Sequence, residues 1–147
     1  MRTPDPILNK ETQLIIEDGI LADSSLCERM KQDLSIVPRS VMDRALKAML
    51  RMHKQIAEEC GDLDVSLSTT DEIADHTEPQ YVILDEQSSD EDRFIRLHYR
   101  ADWETFHGVE VIIRNGANLL FVGNCGYICR IGTTLSAQDQ QSNYMDF

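Results

Sequence analysis

Between residues 55 and 92 the sequence has no lysine and no arginine. The same span carries thirteen acids, and removing them from the net charge of −12 leaves the rest of the chain at +1. A single-sign segment of this kind repels nucleic acid and anionic membrane surfaces and attracts basic partners. Phosphate neutralisation by cations supplies most non-specific affinity for nucleic acid, so this chain is not expected to bind it.

Other absences exclude further classes. No apolar run approaches the ~20 residues of a membrane span. The opening MRTPDPILNKETQ has no apolar core of a signal peptide, which gives a cytoplasmic site by default. The seven glycines have neither P-loop nor dinucleotide spacing, and there is no H-E-x-x-H, G-x-S-x-G or calcium loop. Four cysteines occur, Cys27, Cys60, Cys125 and Cys129. The last two form a C-x3-C pair with no second half of a zinc site, so all four are expected as reduced thiols in or near the core. No metal, no cofactor and no catalytic motif are expected.

What is present is the content of one domain of 147 residues. Leu14–Ile16 and Ile20–Leu21 flank Asp18-Gly19, which predicts a small hairpin. Ser25-x-x-Glu28 has capping-box spacing and opens a helix over 24–34 on Leu26, Met30 and Leu34. Pro38 suits the first turn of a longer helix that Gly61 stops. Val41, Ala45, Met49, Met52, His53 and Cys60 share its apolar stripe, and Arg39, Asp43, Lys47, Lys54 and Glu58 its polar face. Leu63, Val65 and Leu67 alternate as an extended segment. Thr69-x-x-Glu72 is a second capping box and predicts a short helix ended by Pro79. Residues 81–84 read as a strand and 85–92, DEQSSDED, as an acidic connection.

The clearest strand signals lie in 93–122. Ile95, Leu97 and Tyr99 alternate with Arg96 and His98, and Val109, Val111 and Ile113 with Glu110 and Arg114. Asn115-Gly116 is the favoured pair for a tight hairpin turn. Leu119–Val122 returns as the next strand, and 127–131 adds another. Helices come first and strands last, which predicts an α+β fold: an antiparallel sheet of about 4–6 strands packed by one long and one or two shorter helices. The domain is expected over 1–132, followed by a polar tail, 133–147, that is mobile unless Tyr144 and Phe147 dock.

One loop, 103–108, carries the only tryptophan. Glu104 and His107 could exchange a proton near neutral pH. A structural role competes, with Trp103 plugging the sheet edge and Gly108 taking a positive φ. Trp103, Glu104, His107, Gly108, the strand VEVII and Arg114-Asn115-Gly116 resemble a family of small, mostly uncharacterised bacterial domains. That family has a Trp-Asp-x-Glu-His-Gly loop before a strand and a basic-Asx-Gly turn. Asp5-Pro-Ile-Leu and Glu17-Asp-Gly19 fit as well. Glu104 replaces the usual Asp and Phe106 the usual Glu, which removes the carboxylate beside the histidine. The resemblance implies the same fold and an immunity-type role.

The expectation is therefore a non-catalytic acidic protein that binds a basic partner such as a toxin. Asp85, Glu86, Asp90, Glu91 and Asp92 would meet its cations, with Trp103, Glu104 and His107 as further contacts. An enzyme using Glu104 and His107 and an acidic mimic of nucleic acid are the alternatives.

Overall fold

The computed structural model describes residues 1–60, 66–128, 130–131 and 135–145. Their elements run β1 (Arg2–Pro4), β2 (Glu11–Ile16), α1 (Asp18–Leu21), α2 (Ser24–Ser35), α3 (Arg39–Cys60), α4 (Thr70–Asp75), β3 (Thr77–Leu84), β4 (Phe94–Ala101), β5 (Glu104–Arg114), β6 (Asn118–Asn124) and α5 (Ala137–Gln141). The strands form one six-stranded sheet in sequence order. The α+β architecture with one long helix is as the sequence predicts. Every pairing is antiparallel except β2 with β3, which is parallel and joins Gln13–Ile16 to Tyr81–Leu84. Parallel neighbours need a long crossover, and the chain through α1–α4 supplies one.

The amphipathic stripe of α3 makes the core. Val41, Ala45, Ala48, Met49, Met52 and His53 are buried against Leu14, Val82, Leu97, Val111 and Val122 of the sheet. Each fully buried side chain of Leu or Met size contributes roughly 1.5–3 kcal/mol, so α3 is fixed by this face rather than by propensity. The stripe ends before Cys60, which is exposed; Cys27 is buried and Cys125 half-buried. Cys129, Leu63, Val65 and Phe147 lie outside the described residues.

Several local readings are corrected. Asp18-Gly19 is not a hairpin turn: Ile20 and Leu21 donate to the Glu17 carbonyl and the chain turns into α1. The cap of α2 is Asp23, whose side chain accepts from Leu26 N, two residues before the expected Ser25. Half of the box at Thr69 forms as predicted, with Thr69 Oγ1 accepting from Glu72 N at 3.2 Å; Glu72 Oε1 accepts from the Thr69 hydroxyl at 3.1 Å and from Ser68 N at 3.3 Å. Pro79 lies inside β3, but before the stretch that pairs with β2 and at a register shift, where its missing N–H costs no ladder bond. Among the described residues 127–131 form no strand.

The described part of the tail is docked. Asn143 Oδ1 accepts from Val122 N and its Nδ2 donates to the Leu120 carbonyl, so the side-chain amide pairs with β6 as a strand would. Tyr144 N donates to Val122 O, and Arg51 Nε donates to Tyr144 O at 2.8 Å.

The N-terminal loop is tied to the sheet by one buried carboxylate. Asp5 Oδ2 accepts from Ile7 N and Leu8 N, and Oδ1 accepts from Tyr99 Oη at 2.6 Å. Burial raises its pKa, and the hydrogen bonds from Tyr99, Leu8 and Ile7 offset this only in part. Replacing Asp5 by Ala strands three donors and should cost about 2–3 kcal/mol in urea unfolding. A raised folded pKa means stability present at low pH and lost as pH rises through it. Asp5→Asn keeps hydrogen-bonding groups on both sides and cannot ionise, so it should gain on wild type as pH rises above about 4. A gap between the two that is constant with pH would contradict this.

Candidate functional site

The acidic connection between β3 and β4 is an ordered loop. Asp85 starts it with an Asx turn, accepting from Gln87 N at 2.7 Å. Ser88 Oγ accepts from Phe94 N, Ser89 N donates to Asp92 O, and Asp92 N donates to Ser89 Oγ. The β5–β6 turn holds its far side. Asn115 (φ 53°) and Gly116 (φ 72°) take the left-handed conformations expected of an Asn-Gly pair. Asn115 Oδ1 then accepts from Arg93 N, and its Nδ2 donates to Glu91 O. A Cβ at Gly116 would meet the Asp33 carbonyl oxygen at 2.8 Å, so only glycine lets α2 come this close. Arg93 completes the frame by gripping Asp33 with Nε and Nη2 at 2.7 and 3.3 Å.

This frame sorts the five loop acids. Asp85 turns inward: it is buried and receives Arg96 Nε at 2.6 Å. Asp92 is half-buried against Arg114, with Nη2 at 2.6 Å. Asp90 is exposed and pairs with Arg29 at 3.3 Å. Glu86 and Glu91 are exposed and in no ion pair among the described residues. The Glu86 backbone N–H is held by Glu17 Oε1 at 2.9 Å, which adds Glu17 and Asp18 to the same end of the molecule. Elsewhere in the 55–92 span Glu78 pairs with Lys10. The acidity of this region is thus part compensated by basic residues distant in sequence.

Residues 104–108, expected as a loop, open β5 instead, with Trp103 in the tight turn that precedes it. Trp103 is 1 % exposed and is therefore no surface anchor. Its Nε1 donates to Thr77 Oγ1 at 3.0 Å, and its ring meets His53 edge-on at 5.9 Å. Burial lowers the His53 pKa, and its Nε2 accepts from Leu67 N at 2.9 Å. Glu104 is also buried, its Oε2 accepting from His107 N and Asn124 Nδ2. Gly108 has φ 75°, and a Cβ there would strike the Tyr99 carbonyl oxygen at 2.8 Å. His107 is exposed, its ring edge-on to Tyr127 at 6.0 Å. Thus neither Trp103 nor Glu104 offers a partner its side chain. The side chain of Phe106 lies outside the described residues.

A second charged cluster, which no local sequence pattern marks, joins Asp85, Arg96, His98 and Glu110. On the sheet face away from α3, Arg96 joins Asp85 to Glu110 (Nη1 to Oε1, 3.2 Å) and donates to the Ile128 carbonyl at 2.7 Å. His98 Nε2 meets the other oxygen of Glu110 at 2.5 Å. Desolvation opposes the Arg96 charge, and the Glu110 and Asp85 carboxylates more than offset it, so its pKa is raised. Cys125 is close by; burial, then the charges of Glu110 and Glu104, push its thiol up to about 12, so it is no thiolate nucleophile at neutral pH. The available signal was the register of β4 and β5, which sets His98 opposite Glu110. Among the described residues no cluster of His, Cys, Asp and Glu could hold a metal ion, and no helix is long and apolar enough to cross a membrane.

No curated protein and no solved structure matches this chain. A family model does match residues 3–129, and on that match the chain belongs to the family described as a domain of unknown function, DUF6985.

Proposed function

We propose that this domain is a non-catalytic acidic binding protein that captures a basic protein partner, in the manner of an immunity protein neutralising a toxin. The observation that carries the reading is the ordered β3–β4 loop, which turns Glu86, Asp90 and Glu91 outward on a backbone already fixed by Arg93 and Asn115. A pre-ordered loop loses little entropy on binding, and its charge speeds encounter. The burial of Glu104, bonded to its own loop and to Asn124, gives no support to an acid/base pair with His107. The pairing of Asp90 and Asp92 with arginines gives none to a phosphate-like row of charges.

The test is binding of the proteins encoded beside this gene, followed by calorimetry at two salt concentrations. The triple variant Glu86→Lys, Asp90→Lys, Glu91→Lys should weaken capture of a basic neighbour about 100-fold at ~50 mM salt. The loss should fall below about 10-fold at ~500 mM, where screening acts within a few ångströms. Equal losses at both salts would rule out charge-led capture.

A further inference from the structure

The strands lie in sequence order, so β1 and β6 are the two edges of the sheet. An edge strand shows unpaired N–H and C=O groups that template pairing with another chain, and natural sheets blunt it with short length, proline or charge. β1 uses the first two: it has three residues and ends in Pro4. β6 uses none of them. It has seven residues, Asn-Leu-Leu-Phe-Val-Gly-Asn, with no charge and no proline. Its one irregularity is Leu120, passed over in the register with β5 as a bulge.

The chain covers this edge itself. The Leu120 carbonyl receives Asn143 Nδ2 at 2.9 Å, Val122 N donates to Asn143 Oδ1 at 3.1 Å, and the Val122 carbonyl receives Tyr144 N at 2.9 Å. Two of these three bonds come from one side-chain amide rather than from a strand. The amide is itself held: Nδ2 also donates to Gln140 Oε1 at 3.0 Å, and Oδ1 accepts from Met145 N at 3.2 Å. Gly123 makes room for the approach, since a Cβ there would meet the Ser142 carbonyl oxygen at 2.5 Å. Arg51 of α3 fastens the far end through the Tyr144 carbonyl. Segment 142–145 is thus a strap in the place where a further strand would lie.

We propose that this strap masks a strand-pairing surface, and that what it keeps out is the β6 of a second copy of this chain. Antiparallel pairing of the two edges about a two-fold axis continues one sheet across both copies. β6 suits this because it has no charge to set against its twin. The direction follows from the acidic loop. Asn115 of the β5–β6 turn holds that loop, through Arg93 N and Glu91 O, at the Asn118 end of β6. An antiparallel pair places the two loops at opposite ends of the joined edge, whereas a parallel pair sets them side by side, where they repel. Capture of a basic partner uses that loop and not this edge.

Asn143→Asp tests this in the full chain. The change keeps the acceptor for Val122 N, removes both bonds that Nδ2 donates and sets an oxygen against the Leu120 carbonyl. In sedimentation over a concentration series the dimer of the variant is expected to dissociate at about 30-fold lower concentration than that of wild type, the effect of two net hydrogen bonds. At a dilution where the variant is monomeric, its Val122 amide should exchange faster than in wild type by about the same factor. Arg51→Ala, at an exposed position, frees the strap from α3 and should act in the same direction by a smaller factor, so the test survives a folding defect in Asn143→Asp. Adding Leu120→Lys to either variant should abolish the dimer, because a lysine on an edge strand opposes pairing. A variant that uncovers the Val122 amide and stays monomeric would overturn the proposal. A dimer that persists with Leu120→Lys, or a Val122 amide as protected in both variants as in wild type, would do the same. Pairing with an added basic protein but not with itself would overturn the choice of occupant.

Discussion

Replacing Arg96 by Ala is expected to destabilise the domain by about 3–5 kcal/mol at neutral pH, the usual cost of removing one partner from a buried ion pair. The side chains of Asp85 and Glu110 are only 4 % and 1 % exposed, and Arg96 is 12 % exposed between them. Without the guanidinium, Asp85 keeps the Gln87 N–H and Glu110 keeps His98, and neither replaces a full positive charge. Arg96→Lys keeps the charge but not the fork that reaches Asp85, Glu110 and the Ile128 carbonyl together, so it should lie between. Combining Arg96→Met with Asp85→Asn and Glu110→Gln should recover most of the loss, because no buried charge is left unpaired. Urea unfolding followed by circular dichroism measures all three. A cost below about 1 kcal/mol for Arg96→Ala would show that water reaches the cluster and screens it.

The same cluster shows what the sequence could and could not convey. Signals confined to one turn were legible: the Thr69-x-x-Glu72 box, the α3 stripe and the Asn115-Gly116 turn each depend on residues within a few positions. What failed was long-range. The cationic partners of the acidic span, Lys10, Arg29, Arg96 and Arg114, lie outside it in sequence. The composition of 85–92 therefore suggested five surface acids where the fold buries one and pairs two with arginines. The parallel β2–β3 contact follows from packing the whole α1–α4 crossover, which no local pattern encodes. Asp18-Gly19 misled for a related reason: its apolar flanks suit a hairpin, but Ile20 is needed in the core, and one helical turn places it there at 1 % exposure. Of the candidate partner contacts, Glu86, Asp90, Glu91 and His107 are exposed, whereas Trp103 and Glu104 lie inside, where residue type alone does not place them.

Trp103→Ala should cost a further class of energy, about 3–5 kcal/mol, through lost burial and a cavity. The indole fills the space between β5 and α3, touching His53 edge-on, and its N–H is the one that Thr77 Oγ1 accepts. Thr77 Oγ1 in turn donates to the Ile73 carbonyl in α4. The side chain thus joins the long helix, the short helix and the sheet at one point. Trp103→Phe separates the two contributions. It keeps most of the apolar volume and drops the N–H, and Thr77 retains its bond to Ile73, so the loss should be about 1–2 kcal/mol. Neither change removes a surface contact. If the domain binds a basic partner through Glu86, Asp90 and Glu91, Trp103→Phe should leave that affinity within about 2-fold at a temperature where the variant is folded. A selective loss of binding with stability intact would instead mean that Trp103 reaches the partner after a rearrangement of β5, and the buried position would have to be one of two states.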